Sequence, residues 1–311
     1  MIAILLPRDS RPPVRLPELS GLEAGGDAAS QVFRGGEAVT EQPAAASPRA
    51  ALPGADPTVP RNLPAPPGRA SYPTVGTREA QRGRLIFVID DVGNNVEELK
   101  PFLSFPGPLT LSILPQRPYT IDAYHLILQA KKLPILHQPM EADGRVNPGP
   151  GAIYTSMSSA QIDSLIAQNL QGMSAIRWVN NHEGSKVTSD PAAMLAVLSY
   201  LKSREIHFLD SRTTVDTVVP AVDKRLDLPY YERNSIFLDD SVKSESIEKA
   251  IESGLSVAQR EGYAVMIGHV WDKQLARILV DAYPQLIEEG FVVDDLRALQ
   301  GESVINDSSG N

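Results

Sequence analysis

The most constraining feature of this sequence is an apolar run, residues 85–89, that is followed at once by two aspartates. The run is rich in β-branched and aromatic residues, which is typical of a strand buried on both faces. Asp90 and Asp91 therefore stand at the carboxyl end of a strand, where ligands and catalytic groups collect in parallel α/β folds. Adjacent carboxylates repel each other unless a cation or a shared proton relieves them. The pair thus indicates a metal site or an acid/base, with a strand-end cap as the alternative.

Downstream of this run, apolar segments of strand length alternate with segments of helical spacing. Further strands are predicted over residues 109–114, 133–141, 175–185, 206–212, 236–238, 263–269 and 291–293. Helices are predicted over residues 96–102, 121–132, 158–170, 191–202, 244–261 and 274–289. A regular alternation of this kind predicts a parallel α/β sheet or barrel.

Polar residues that can bind a metal or move a proton recur at one end of these predicted strands. They lie at or just beyond the carboxyl ends: Asp90, Asp91, His137, His182, Asp210 and His269. Because a (β/α) barrel brings those ends onto one face, we expect the set to converge there. His125 falls within a helical pattern and His207 at the start of a strand, so both are assigned to structure.

The residue types in this set suit a divalent ion. Neutral imidazole and carboxylate are ligands that zinc-like ions prefer, and two histidines with one aspartate leave positions for water and substrate. A bound ion lowers the pKa of its water to about 7. We therefore expect hydrolysis, in which a spare carboxylate accepts a proton and a histidine protonates the leaving group. The chain has no cysteine, which excludes thiolate metal sites and a cysteine nucleophile.

Composition divides the chain into two parts. Residues 1–83 hold 13 of the 26 prolines and no lysine, and they show neither helix nor strand periodicity. Such a segment buries too little apolar surface to offset its ordering entropy, so we predict a disordered linker or tether. The folded domain is predicted over residues 84–300, and residues 301–311 are predicted to be a disordered tail.

Charge and the amino-terminal segment bear on partners and location. Residues 84–311 contain 20 basic against 30 acidic side chains, so nucleic acid is not an expected partner. The segment before Pro7 is apolar, but it lacks a basic flank and the length of a membrane span. A long proline- and alanine-rich tether before a compact domain is typical of anchored extracytoplasmic proteins. We therefore expect a periplasmic or cell-envelope location, with a membrane tether upstream of Met1 as one means of anchoring.

Seven short motifs follow one another through residues 84–300. They are FVIDDVG, LHQPME, NPGPGA, VNNHEGS, LDSRTT, FLDD and IGHV. This ordered set resembles the divergent polysaccharide deacetylases, a distant branch of the NodB-homology, or family 4-like, carbohydrate esterases. The resemblance implies an incomplete (β/α) barrel with a metal-dependent site at the carboxyl ends of the strands. It also implies a hydrolase of carbon–nitrogen bonds that removes N-acetyl groups from an amino-sugar polysaccharide of the cell envelope.

The resemblance further assigns roles to individual residues. Asp90 matches the catalytic base and Asp91 a metal ligand, whereas His182 matches a metal-binding histidine and His269 the catalytic acid. The HxxxH motif of typical NodB-homology enzymes is missing, because no two histidines lie four residues apart. His137 is therefore the candidate for the second imidazole ligand.

Two further residues join the catalytic candidates. Arg212 is expected to pair with Asp90 and hold it ionised, or else to form an ordinary structural ion pair. Asp210 lies near the carboxyl end of the predicted strand over residues 206–212, which also contains Arg212. The predicted site therefore has Asp90, Asp210, Arg212 and His269 as catalytic residues and Asp91, His137 and His182 as ligands of a divalent metal, Zn²⁺ first among them.

Two other classes of function are compatible with the same residues. A glycan-binding envelope protein with little or no turnover would use Trp178, Tyr154 or Trp271 to stack on sugar rings. Phosphoryl chemistry on an acidic pair with Mg²⁺ ranks last. A dehalogenase-type site needs an acidic residue where this chain has Val92, and the chain has no GK[ST] loop.

Overall fold

The computed structural model describes residues 82–144, 146–240 and 244–301. Of the predicted linker, residues 1–83, only residues 82 and 83 are described, and Gly83 is the first residue of β1; of the predicted tail, residues 301–311, only Gly301 is described. The rest of both segments lies outside the described residues, so the linker and the tail stay predictions. No helix in the described part of the chain is long and apolar enough to cross a membrane.

The described residues form eight strands, seven α-helices and one short 3₁₀ helix. The strands are β1 (Gly83–Val92), β2 (Thr110–Ile113), β3 (Leu133–Met140), β4 (Trp178–Glu183), β5 (His207–Asp210), β6 (Tyr231–Glu232), β7 (Tyr263–His269) and β8 (Phe291–Asp294). The helices are α1 (Val96–Leu103), α2 (Thr120–Gln129), α3 (Ser159–Asn169), α4 (Pro191–Ser203), α5 (Val219–Leu226), α6 (Ser244–Glu261) and α7 (Lys273–Glu288), and the 3₁₀ helix spans Leu296–Gln300. The bounds of α6 and β7 are those predicted from sequence, whereas β4 and β5 are shorter than predicted.

All eight strands run parallel in one sheet: seven follow the order β6-β5-β4-β3-β2-β1-β7, and β8 pairs with β1 beside this path. The strand β1 is central, because it pairs with β7 along one edge and with β8 and then β2 along the other. Within the described ranges β6 and β7 do not pair with each other, so the sheet curves into a barrel that is open between them. The predicted incomplete (β/α) barrel is confirmed.

The gap between β6 and β7 is bridged by irregular chain. Residues 236–238 were predicted to be a strand, and that prediction is wrong. Asn234 Oδ1 accepts a hydrogen bond from Val265 N at 2.8 Å, and Leu238 N donates to Ile267 O at 2.8 Å. Because a side chain takes the place of the backbone acceptor at one of these points, the segment follows β7 without forming a regular ladder.

Sequence patterns missed α5 and β6 for a physical reason. The helix has only eight residues, starts with a proline in its first turn and buries a charged residue, Asp223, beside Val219 and Val222. The strand has only two residues. Neither element is long enough to show a periodicity of its own, and both are held by their neighbours in the barrel.

Helix starts follow the capping signals in the sequence. Ser158 and Gln161 form a reciprocal capping box at α3, and Asp190 accepts hydrogen bonds from the first turn of α4 ahead of Pro191. The helix α1 ends at Leu103, one residue beyond the predicted range of 96–102, and contains Pro101.

The interior of the barrel changes from apolar to polar along the strands. Ile86, Val88, Ile135, Val265 and Ile267 form one buried cluster, and Leu296 and Leu299 of the 3₁₀ helix belong to it. Because side chains two apart share a face of a strand, the next inward positions toward the carboxyl ends can be read off by parity. These positions carry Asp90, Ser112, His137, Asn180, His182 and His269.

Candidate metal centre and active site

Three side chains from β1, β3 and β4 meet at the carboxyl end of the barrel and are named here the metal cluster: Asp91, His137 and His182. Asp91 Oδ1 lies 3.0 Å from His182 Nδ1 and 3.3 Å from His137 Nε2. The two ring nitrogens are 3.2 Å apart. All three ligand atoms lie within 4.8 Å of one another, as the donors to one cation must. The sequence-predicted ligand set is thus brought together.

Backbone geometry explains how both aspartates reach the same site. Strand alternation would send Asp90 into the barrel, with Ile86 and Val88, and Asp91 to the opposite face. Asp91 instead has φ = 66°, in the left-handed region, and the pairing of β1 with β2 shifts register between Ile89 and Val92. This local irregularity turns the second carboxylate back toward the histidines. Left-handed backbone at a non-glycine residue is a modest strain that is often found at functional sites.

Asn180 sets the hydrogen-bonding state of His137. Its Nδ2 donates to Asp90 Oδ1 at 2.9 Å, and since a carboxylate only accepts, the amide oxygen must face the other way. That oxygen lies 2.8 Å from His137 Nδ1 and also accepts a hydrogen bond from Ser112 Oγ at 2.5 Å. His137 Nδ1 therefore carries the proton. Nε2, which faces Asp91 and His182, is thereby left as the nitrogen that a metal would take.

Electrostatics of the metal cluster favour a bound cation. Burial raises the pKa of Asp91, but its contacts with the two imidazoles outweigh burial and hold the pKa well below its usual range. Asp91 Oδ1 is buried, yet no donor among the described residues makes a hydrogen bond of good geometry to it. A buried ionised oxygen beside two ring nitrogens needs a compensating charge. The residues present therefore fit a divalent ion.

Asp90 stands directly beside the metal cluster. Its carboxylate is 2% exposed, accepts hydrogen bonds from Asn180 Nδ2 at 2.9 and 3.2 Å, and places Oδ2 3.6 Å from His137 Nε2. Its backbone oxygen accepts a hydrogen bond from Val270 N at 3.0 Å. The carboxylate is thus held by Asn180 and the backbone by Val270, and the carboxylate borders the metal cluster.

His269 faces the same end of the barrel from β7. Its Nδ1 lies 2.9 Å from Asp239 Oδ1, and its backbone N–H donates to Asp239 Oδ2 at 2.7 Å. Burial alone lowers the pKa of His269, but the hydrogen bond and the negative charge of Asp239 raise it to about 9. The imidazole is stacked between Phe237 and Trp271, with ring centroids 5.8 and 5.4 Å away. His269 is therefore protonated at neutral pH, with its ring oriented by Asp239.

Asp210 and Arg212 do not join this constellation. Arg212 Nε pairs with Glu232 Oε2 at 3.3 Å, so the expected pairing with Asp90 is wrong. Asp210 accepts hydrogen bonds from Arg212 N at 2.8 Å and from Tyr230 OH at 3.2 Å. These four residues, Asp210, Arg212, Tyr230 and Glu232, are named here the β5–β6 cluster. By parity Leu209 faces the barrel interior, so Asp210 points away from it.

Of the aromatic residues expected to stack on sugars, the structure leaves one well exposed. Trp178 is 1% exposed and packs against Tyr231 inside the barrel, so it cannot contact a ligand. Trp271 is 45% exposed and lies beside His269. Tyr154 is partly buried. Trp271 is the aromatic side chain best placed to meet a ligand at this site.

Sequence reasoning missed Asn180 and Asp239. Asn180 precedes His182 by two residues in VNNHEGS, and strand parity could have placed both on the inner face. Asp239 lies in FLDD, but its position beside His269 depends on the irregular bridge to β7 and leaves no periodic signal. Supporting residues of this kind are found by geometry rather than by spacing.

Comparisons with known proteins concern the family and the fold of the chain. Residues 87–299 match the model of the family described as divergent polysaccharide deacetylase. An uncharacterized protein of Haemophilus influenzae is 28% identical over 188 residues, which cover 60% of this chain and 67% of that protein. The uncharacterized protein YibQ of Escherichia coli is 26% identical over 195 residues, covering 60% of this chain and 58% of that protein.

Among solved structures, an uncharacterized protein from Agrobacterium tumefaciens has the same fold. The two superpose with a TM-score of 0.67 at 17% identity, over 73% of this chain and 92% of the other. At that identity the likeness concerns the fold alone. Together with the match over residues 87–299, it leads to one conclusion. The chain belongs to the divergent polysaccharide deacetylase family.

Proposed function

We propose that this protein is a metal-dependent hydrolase that removes N-acetyl groups from an amino-sugar polysaccharide. The observation that carries the proposal is the metal cluster at the carboxyl end of the barrel, with Asp90 beside it and His269 on the same face. The grouping supplies a ligand set, a base and an acid at one place. That division of labour is what hydrolysis of an unactivated amide requires.

The metal cluster would hold the ion through Asp91 Oδ1, His137 Nε2 and His182 Nδ1. A donor set of two imidazoles and one carboxylate favours Zn²⁺, although other divalent transition metals accept it as well. Such an ion, when bound, supplies Lewis acidity that polarises the acetamide carbonyl and acidifies a water molecule. Asn180 supports the site by fixing the proton of His137 on Nδ1.

Asp90 is the base in this proposal. As the oxygen of water adds to the acetamide carbonyl carbon, Asp90 accepts the proton that the water loses. The hydrogen bonds from Asn180 keep the carboxylate pointing at the cluster throughout.

His269 is the acid. Its raised pKa keeps a proton on the ring at neutral pH, and Nδ1 is engaged by Asp239, so Nε2 is the position that gives up a proton. Delivery of that proton to the nitrogen of the acetamide lets the carbon–nitrogen bond break, which leaves acetate and a free amine. Stacking between Phe237 and Trp271 fixes the ring plane for this transfer.

The glycan itself would meet the exposed face of Trp271. An indole ring offers an apolar face of the size of a sugar ring, and this one borders the proposed acid. A cell-envelope location, as expected from the proline- and alanine-rich amino-terminal segment, belongs to the same proposal and would place the protein near N-acetylated glycans.

Acetate release tests the proposal. The protein loaded with Zn²⁺ or Co²⁺ is incubated with N-acetylglucosamine oligomers and with peptidoglycan fragments, and acetate is quantified. We expect acetate from at least one of these glycans, dependent on the added metal. No acetate from any of them, although metal is bound, would leave a glycan-binding protein with little or no turnover as the better account.

A further inference from the structure

Arg117, in the loop that joins β2 to α2, carries a guanidinium that the described part of the chain does not pair. Its backbone N–H donates to Thr120 Oγ1 at 2.9 Å. Within the described residues, however, the guanidinium has neither an ion pair nor a hydrogen-bond acceptor, and its Nε is buried. Leaving a buried donor unsatisfied is costly, so such groups usually find water or a ligand.

Arg233 shows how the same chain treats a comparable side chain. Its Nε donates to Ser211 O at 3.0 Å and its Nη2 donates to Arg212 O at 3.0 Å. The guanidinium of Arg233 therefore braces two loops through protein acceptors. Arg117 has no such acceptors among the described residues, which separates it from an arginine whose role is to brace the fold.

Arg117 packs against two glycine turns, one of which directly follows Asp91 of the metal cluster. A Cβ on Gly149 would stand 2.4 Å from Arg117 Nη2, and a Cβ on Gly93 would stand 3.5 Å from Arg117 Cβ. Gly93 follows Asp91 by two residues, and Gly149 lies in the loop after β3, the strand that carries His137. Both turns have positive φ, 121° and 91°, which glycine adopts without strain. A side chain at position 149 would meet the guanidinium itself, whereas a Cβ at position 93 would only be in ordinary van der Waals contact with the Cβ of Arg117.

The chemistry of this position selects an anion. A guanidinium presents a planar fork of N–H groups that pairs bidentately with a carboxylate or a phosphate. The chain as a whole has a formal net charge of −9, so long-range attraction does not draw anionic polymers to it. An anionic ligand must therefore be recognised locally, and Arg117 is a cation that no described carboxylate neutralises.

We propose that Arg117 binds a carboxylate or phosphate group on the glycan and so makes acidic N-acetylated glycans the substrate class. The anionic group would sit on the acetylated sugar or on its neighbour, because the loop of Arg117 borders the metal cluster. This inference rests on the proposed glycan hydrolase function. It is tested by binding rather than turnover, so that the two can fail separately.

The experiment uses disaccharides matched except for their charge. Chitobiose is neutral, N-acetylglucosaminyl-N-acetylmuramic acid adds a lactyl carboxylate, and phosphorylated chitobiose adds a phosphate. Each is titrated calorimetrically into the full chain loaded with Zn²⁺. We expect at least one anionic disaccharide to bind about tenfold or more tightly than chitobiose, a preference that added NaCl reduces. The anionic disaccharide that is preferred identifies the group as carboxylate or phosphate.

Variants of Arg117 distinguish a role in recognising the anionic group from a role in bracing the loops. Arg117→Gln should abolish the preference and leave chitobiose binding unchanged, and Arg117→Lys should keep part of it. The matched control is Arg177→Gln at the opposite end of the barrel, where Arg177 donates to Ser174 O and Ile176 O, and this variant should keep the full preference.

Two results would overturn the inference. One is equal affinity of the wild-type protein for all three disaccharides. The other is an equal loss of neutral and anionic binding in Arg117→Gln, which would make Arg117 a brace for its loops. A charge preference that Arg117→Gln abolishes, found in a protein that releases no acetate, would instead sustain the inference and count against the proposed hydrolase function.

Discussion

The metal cluster and the β5–β6 cluster occupy the same kind of position and differ in what their oxygens already hold. Both lie at the carboxyl ends of barrel strands, and both contain an aspartate flanked by polar groups. Asp210 has its oxygens engaged by Arg212 N, Thr217 Oγ1 and Tyr230 OH. Within the described part of the chain, Asp91 Oδ1 has no hydrogen bond of good geometry and faces two ring nitrogens. Both aspartates stand at strand ends, but of the two only Asp91 keeps a buried acceptor oxygen available for a cation.

The two clusters also differ in how their surroundings shift the pKa of the aspartate. Burial raises the pKa of Asp210, whereas contacts with two imidazoles carry the pKa of Asp91 the other way. An aspartate whose pKa is raised by burial costs stability when it ionises, while an aspartate held ionised can neutralise a cation. We therefore expect changes in the metal cluster to alter chemistry and changes around the β5–β6 cluster to alter stability.

The largest effect is expected from removing a ligand. His182→Ala deletes one of the donors that would hold the ion, and since the ion supplies several kcal/mol of transition-state stabilisation, acetate release should fall to background. The matched control is His125→Ala, which removes an exposed histidine from α2 and should leave kcat/KM unchanged. Equal activities of the two variants would show that His182 holds no catalytic ion.

The next largest effect concerns the base. Asp90→Asn keeps the size of the side chain but removes the proton acceptor, so kcat should fall by about 10²- to 10⁴-fold while the fold and the bound metal are retained. Asp210→Asn makes the same change in the β5–β6 cluster and should leave kcat within a few-fold. If Asp210→Asn lowers kcat as much as Asp90→Asn does, the proposed difference between the metal cluster and the β5–β6 cluster is wrong.

A smaller effect is expected on the pH profile. His269 acts when protonated, so kcat/KM should decline as pH rises through its pKa of about 9. Asp239→Asn removes the charge that raises this pKa, and the alkaline limb should move to lower pH, toward the usual value of about 6.5. Glu232→Gln, in the β5–β6 cluster, serves as the control with an unmoved limb. An alkaline limb that stays in place in Asp239→Asn would exclude His269 as the acid that Asp239 tunes.

The smallest effect on activity is expected at α5, next to the β5–β6 cluster. Burial and the charge of Asp210 raise the pKa of Asp223 to about 7. Because the folded-state pKa is raised, the stabilisation is complete below about pH 4 and is lost as pH rises through 7. Asp223→Asn should remove that loss, so its free energy of unfolding relative to wild type should improve by on the order of 2 kcal/mol between pH 5 and pH 8.

Urea denaturation at the two pH values measures this difference. Asp227→Asn is the control, because Asp227 is exposed at the end of the same helix in a left-handed conformation that asparagine tolerates. If the free energy of unfolding has the same pH dependence in wild type and in Asp223→Asn, the fold does not raise the pKa of Asp223. Acetate release should be unaffected by either change.

Long periodic segments of this fold could be predicted from sequence, and short or irregular ones could not. The apolar run and helical spacing of β7 and α6 gave their bounds correctly because their own patterns determine them. The bridge over residues 236–238 was mistaken for a strand, since its apolar residues follow β7 without a ladder. The helix α5 and the strand β6 are fixed by tertiary contacts that leave little periodicity.

Some features of the site could likewise be predicted from sequence, and others could not. Histidines at strand ends were predicted to converge because parallel strands share an edge, and His137 and His182 do so. The turn at Asp91 was not predictable, since strand parity places adjacent aspartates on opposite faces and only the left-handed backbone brings them together. The pairing of Arg212 with Glu232 depends on β6, whose existence the sequence did not indicate.

The metal content of the protein measures directly whether Asp91, and not Asp210, holds the ion. Wild-type protein, Asp91→Asn and Asp210→Asn are equilibrated with limiting Zn²⁺, freed of unbound ion and measured by elemental analysis, with unfolding temperatures as a check on the fold. Losing a supporting residue around a metal typically costs about 10- to 100-fold in affinity, and losing a ligand should cost at least the upper end of that range. We expect one ion per chain in wild type and in Asp210→Asn and a near-complete loss in Asp91→Asn. Full retention of the ion in Asp91→Asn, or its loss in Asp210→Asn, would show that the metal cluster is not the site that holds the ion.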